Sequence, residues 1–386
     1  MDLVRPSIFP SIAHLDPGST QNFCLKPPVP GGMLQWSVEA IPGGNDEVGT
    51  ITPDGRYKAP RKTPRPNQIH IQAKLLGQDV RYAWATVVIG PERPRYEYVG
   101  FWDRKGDGQG MLLEAHGIAL EPGGTLLIAD PIRSAVLRFT PDGRFLCSIG
   151  RGRGPGLGEL DGPRDVKADD LGTIFVADGN NDRIHVFSQK GEPLRAWGRK
   201  GSSAGELKRP HSLAIGRNGT IFVADVDNSR VVAFDSNGGF MRAWGRRGNR
   251  QGEFLAPHGV ATDPNGDVFV VEYDGRCQKF TASGEFLLAF ANVPAQDGSN
   301  HGYLRYHTIA SDRWGDVYLM ARDTRKDSAV SIDKYNNNGD FVARLALPPN
   351  ENRRMGGQAA AIAPSGRVYV ADTESNHAGV TIFDPA

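Results

Sequence analysis

Residues 208–234 read KRPHSLAIGRNGTIFVADVDNSRVVAF. Apolar residues alternate through HSLAI, a turn (GRNG) follows, and the alternation resumes in TIFVAD and again in RVVAF. Period-two alternation broken by Gly-containing turns predicts consecutive antiparallel strands rather than helix. A fourth alternating segment, FMRAWG from Phe240, completes the unit.

The unit recurs. HGIALEPGGTLLIAD starts at His116, RDVKADDLGTIFVAD at Arg164, HGVATDPNGDVFVVE at His258, HTIASDRWGDVYLMA at His307 and QAAAIAPSGRVYVAD at Gln358. With His211 in its place, successive starts lie 48, 47, 47, 49 and 51 residues apart. Four strands in every 45–50 residues or so is the period of a propeller blade. The sixth unit ends after its third strand, GVTIFD, while YEYVGFWDRKGDGQG from Tyr96 repeats the fourth-strand pattern of RAWGRKGSSAG. The first and last segments are therefore expected to share one blade, which closes the ring and removes two sheet edges. The expectation is an all-β chain with a six-bladed β-propeller over 93–386.

Residues 1–92 fall outside the repeat. MLQWSVEA, IHIQAKL and RYAWATVVIG surround GTITPDGRYKAP, a two-strand unit about a turn. This run resembles bacterial immunoglobulin-like domains, which implies a small β-sandwich acting as a spacer or adhesive module.

Composition narrows the function. With 45 basic and 44 acidic residues the net charge is +1, which argues against a nucleic-acid partner. Three dispersed cysteines, Cys24, Cys147 and Cys277, make neither a disulfide framework nor a thiolate metal site. No run approaches the roughly 18 apolar residues of a membrane span. MDLVRPSIFPSIAHLDPGS has no apolar leader core, so the chain as it stands is expected in the cytoplasm, or outside the cell if its N-terminus was processed.

The residue that opens each blade's first strand sits at the channel mouth, so His116, Arg164, His211, His258, His307 and Gln358 should form a ring. Side chains converging on one axis suit a ligand. His116, His211 and His307 are 95 and 96 residues apart, two blades each time. They should meet at about 120°, leaving a fourth position open, as in catalytic zinc sites. Such a site brings a bound water's pKa to about 7. A packing role for a repeated histidine is the alternative, but unpaired buried imidazoles are costly. His258 falls between the ligand blades and is read as facing substrate. His185 reads as a strand position, and His301 and His377 as exposed loop residues.

The repeat P-x-[apolar]-x-D-x-x-G-x-[apolar]-x-V-x-D-x-x-N-x-R-[apolar]-x-x-F resembles the NHL repeat. Within that group, PHSLAI…VAD and the alternate-blade histidines resemble peptidyl-α-hydroxyglycine α-amidating lyases. The resemblance implies a six-bladed propeller with catalytic zinc on His116, His211 and His307. It also implies cleavage of a peptidyl α-hydroxyglycine to an amide and glyoxylate. Asn180 stands where that family has an essential Tyr, Val226 and Thr373 where it has Arg, and Thr308 where it has an acid. These departures imply a different substrate.

Candidate replacements lie on the ring. Arg164 would anchor an anion or stabilise an oxyanion, and His258 and Tyr273 would move protons. Asn180, Arg322 and Gln358 would contact substrate. Asp130, Asp178, Asp225 and Asp372 are expected to cap loops, with Glu272 also structural. The crossover loops GRGRGPGLG, GRKGSSAG and GRRGNRQG carry Arg151, Arg153, Arg199, Lys200, Arg246 and Arg247, an expected positive rim. The reading is a zinc-dependent lyase or hydrolase for a small anionic substrate. The alternative is a non-catalytic propeller binding RNA or a protein on that rim. A calcium lactonase ranks last, because the ring lacks a carboxylate.

Overall fold

The computed structural model describes residues 7–15, 17–26, 34–64, 67–76, 81–89, 96–273, 275–291, 304–323, 329–348, 355–374 and 376–386. It is all-β, and six four-stranded antiparallel sheets make a six-bladed propeller. Blades 1 to 5 run in simple order, each from an axial strand outwards: Gly117–Leu120, Pro163–Ala168, Pro210–Ile215, Pro257–Thr262 and Leu304–Ser311 are the inner strands. Blade 6 pairs Tyr96–Asp103 with His377–Pro385, joining the two ends of the repeat as its pattern predicts.

Apolar residues on both faces of the middle strands make six clusters, one at each blade junction. Ala119, Leu127 and Ile149 of blade 1, for example, pack against Val166, Val176 and Phe187 of blade 2. Outer strands add a second seal. Gly238, in a turn of blade 3, has φ +93° and lies where a Cβ would come within 2.5 Å of Trp197 of blade 2. Only glycine fits both the left-handed backbone and the indole.

The acids ending the second strands are fully buried and bind backbone. Asp130, Asp178, Asp225, Glu272 and Asp372 each accept an N–H, from Leu113, Asp161, Lys208, Leu255 and Gly356, at 2.6–2.7 Å. Each of those donors lies two or three residues before a ring residue. Asp178, Asp225 and Glu272 also bind Arg183, Arg230 and Arg276, whose guanidinium groups reach on to crossover-loop carbonyls. This is the meaning of D-x-x-N-x-R in the repeat. In blade 6, His377 takes the arginine's place: it is buried, with Nε2 3.2 Å from Asp372. The expectation of an exposed His377 is thereby corrected, because a histidine five residues after the blade acid fills the same buried slot. His301 lies outside the described residues. His185 is a buried strand residue, as expected, with Nε2 accepting from Gly158 N.

The N-terminal strands form a five-stranded and a four-stranded sheet with a small pair beside them. Their shared core holds Trp36, Val38, Tyr57, Ile71 and Val87. They dock on the turns that follow the inner strands of blades 4 and 5, the end opposite the histidines. Asn265 grips both Tyr82 N and Tyr82 O, and the His70 ring lies between Glu39 (2.9 Å) and Asp316 (3.2 Å). Lys334 joins Asp316, Gln68 and Tyr96 in the same buried network. Among the described residues no helix is long and apolar enough to cross a membrane.

Two outcomes follow from these buried groups. Asp225→Ala leaves the partly buried Arg230 without its carboxylate partner and should cost about 3–5 kcal/mol in urea unfolding. Burial opposes protonation of His70, but hydrogen bonds and charge from Asp316 and Glu39 outweigh it and push its pKa up to about 9. A raised folded-state pKa stabilises below about 6.5, and that contribution is lost as pH climbs through about 9. The unfolding midpoint should therefore fall between pH 7 and 10 more steeply in the wild type than in His70→Gln.

Candidate metal centre

His116, His211 and His307 converge. One ring nitrogen from each lies within 4.8 Å of the others. Ring centroids are 5.2, 5.4 and 5.4 Å apart, a nearly equilateral triangle. His116 and His211 are buried and His307 is half-buried. Alternate blades thus bring together residues 95 and 96 apart in sequence, as the spacing predicts.

The blades between them supply something else. His116 Nδ1 lies 2.7 Å from Arg164 O, His211 Nδ1 3.1 Å from His258 O, and His307 Nδ1 3.3 Å from Gln358 O. A carbonyl only accepts, so each Nδ1 carries a proton, and a ring that is neutral keeps its lone pair at Nε2. Burial, reinforced by the charges of His307 and Arg164, holds His116 well below its ordinary pKa. Burial and then His258 do the same for His211. Neutral imidazoles with one nitrogen anchored and the other directed inwards are a donor set for a divalent cation such as zinc.

Arg164 is half-buried, and its guanidinium makes no hydrogen bond or ion pair among the described residues. Its charge nonetheless reaches His116, His211 and His258. His258 packs 4.0 Å from the His211 ring and 5.1 Å from both Tyr273 and His307, centroid to centroid. Burial followed by the charge of His307 pushes the His258 pKa down to about 3, and a backbone hydrogen bond with His307 opposes the fall. Tyr273 is 37% exposed, with its ring 6.4 Å from His307, so it stands at the edge of the cluster, open to solvent.

Other expected contacts are placed differently. The Asn180 amide donates to Asp161 at 3.1 Å, and Gln358 gives the centre its carbonyl while its amide donates to Gly356 O. Thr373 Oγ1 accepts from Ala115 N at 2.7 Å, bracing the strand that carries His116. The Arg322 side chain lies outside the described residues. The expected positive rim is offset in part: Arg153, Arg199 and Arg246 pair with Asp161, Glu206 and Glu253 at 2.8–3.1 Å and Arg151 lies 4.0 Å from Glu192, while Lys200 and Arg247 have no ion pair among the described residues. The acids sit in the same or adjoining loops and offset part of the charge.

Three residues near the mouth escaped the sequence reading. Glu114 is half-buried; burial raises its pKa and Arg164 opposes the rise. Arg209 acts on His258 through its charge, and the Arg305 guanidinium lies 5.0 Å from the Tyr273 ring centre. Each lies two residues before a triad histidine, an offset that acquires meaning only once the histidines are known to converge.

Residues 160–187 and 207–234 match the NHL repeat family. No curated protein sequence matches the chain. Among solved structures, a gluconolactonase from Xanthomonas campestris is similar at 13% identity and a TM-score of 0.52, covering 77% of this chain and 96% of that one. A streptogramin B lyase is similar at 12% identity and a TM-score of 0.50, covering 76% and 98%. At such identities the likeness is one of fold.

The tautomer assignment is open to direct test. In metal-free protein with 15N-labelled histidine, NMR should find His116 and His211 neutral and Nδ1-protonated, without titration down to pH 5.5.

Proposed function

We propose that this chain is a zinc-dependent lyase or hydrolase acting on a small anionic substrate at the histidine end of the propeller channel. One observation carries the reading: three imidazoles, each fixed by a carbonyl at Nδ1, converge with one ring nitrogen apiece within 4.8 Å of the others. Converging buried lone pairs are unfavourable unless a cation joins them. That the similar folds include enzymes, a lyase and a lactonase by name, is consistent with it.

His116, His211 and His307 would hold the zinc, and the metal when bound supplies Lewis acidity to a substrate oxygen. The chain's own groups do the rest. Arg164, half-buried and without a partner among the described residues, holds a carboxylate by charge-assisted hydrogen bonds. Tyr273 exchanges a proton with the bound substrate from the solvent side. His258 cannot hold a proton at neutral pH with a pKa near 3, so it orients Tyr273 and substrate as a neutral hydrogen-bonding group. Asn180, Thr373 and Val226 stand where amidating lyases have other groups, so a substrate other than an α-hydroxyglycine peptide is favoured. The N-terminal sheets, read as an immunoglobulin-like spacer, leave this end free.

Mass spectrometry of purified protein should find about one zinc per chain, and none in His211→Ala. Absence of metal from wild type, even after incubation with zinc, sinks the proposal. Once an activity is found by screening hydroxy acids, Arg164→Gln should cost at least tenfold in kcat/KM, the scale of a lost charged hydrogen bond.

A further inference from the structure

The residues two before each ring position are Glu114, Gly162, Arg209, Ala256, Arg305 and Gly356. Long charged side chains occur only in the blades that carry the triad, and the blades between have Gly or Ala. The outer set thus repeats the alternation of the histidines and stands towards the mouth from them. Two of its members are cationic. Arg305 lies along the Tyr273 ring, and Tyr273 in turn lies beside His258. The Arg209 side chain is 52% exposed, 3.7 Å from Asp227, a loose pair that leaves donors free. Glu114 is the one acid, and it neighbours Arg164.

Blade order sets the geometry. Arg164 belongs to blade 2 and Arg305 to blade 5, so in a ring of six they face each other across the channel, with the three histidines between and below. Neither guanidinium has a carboxylate partner among the described residues. Glu114, beside Arg164, repels a second anionic group on that side and leaves Arg305 as its station.

Resting on the zinc-enzyme reading, we infer that the substrate is a short dicarboxylate with its reacting hydroxyl or carbonyl carbon between the two acids. Arg164 binds one carboxylate and Arg305 the other, with Arg209 adding long-range attraction. The reacting carbon is thereby held over the histidine cluster, within reach of Tyr273. Specificity then comes from distance: a monocarboxylate engages Arg164 alone, and Arg305 gains nothing from it.

The test uses the full-length, zinc-loaded chain and two probes with the same α-hydroxy acid head, L-malate and L-lactate, titrated calorimetrically at low ionic strength. Malate should bind at least about tenfold more tightly, since it adds a charge-assisted hydrogen bond. Arg305→Gln should shrink that ratio to below about threefold and leave lactate unchanged, whereas Arg164→Gln should weaken both. Equal affinities, a ratio that survives Arg305→Gln, or no binding of either probe overturns the inference. Zinc content of the same samples reports on the underlying reading separately: metal present with equal affinities removes the dicarboxylate and keeps the metal centre. Arg305 is exposed, so its variant is expected to fold.

Discussion

A carboxylate buried at the end of a blade's second strand holds this molecule in register. It accepts the N–H of the segment leading into the inner strand, and in blades 2 to 4 it also anchors an arginine that binds the carbonyls of the crossover loop. Burial raises the pKa of Asp130, Asp178 and Asp225, and hydrogen bonds oppose the rise, so each acid sits in a place that only satisfied partners make tolerable. The result is a fixed point two or three residues before five of the six ring residues. In five of the six sheets such a clamp helps to aim the ring side chain at the axis; in blade 5 Ala321, paired with Tyr306, stands at the acid's place.

On that frame the ring divides its labour by parity. Odd blades contribute imidazoles, and even blades contribute the carbonyls that fix their tautomers. The even residues then keep their side chains for other tasks: the Arg164 guanidinium has no partner among the described residues, and His258 is neutral beside Tyr273. A ring of six imidazoles would have no room for this division. Close packing supports it, since a Cβ on Gly117 would lie 2.8 Å from Arg164 O, the acceptor of the His116 hydrogen bond.

Most of the architecture was legible in the sequence because it is periodic. Turn glycines, two-residue alternation and the 47-residue step that begins at His211 identify the blades, and the orphan strand at Tyr96 announces the closure. The triad was legible for the same reason. What escaped depends on contacts without a sequence period. His377 looked like a loop residue because its partner, Asp372, was assigned only to capping. The rim looked positive because Glu206 and Glu253 were not paired with the arginines seven residues before them. Docking of the N-terminal sheets rests on His70 and Asp316, 246 residues apart, which no local pattern connects.

The central claim is that three imidazoles, and no other side chains, bind a cation on the propeller axis. Zinc K-edge X-ray absorption of the metal-loaded protein addresses it most directly. The account predicts three imidazole nitrogens with a non-protein oxygen completing the shell, at the roughly 2.0–2.1 Å of Zn–N bonds. A shell containing sulfur, or fewer than three imidazoles, would contradict it.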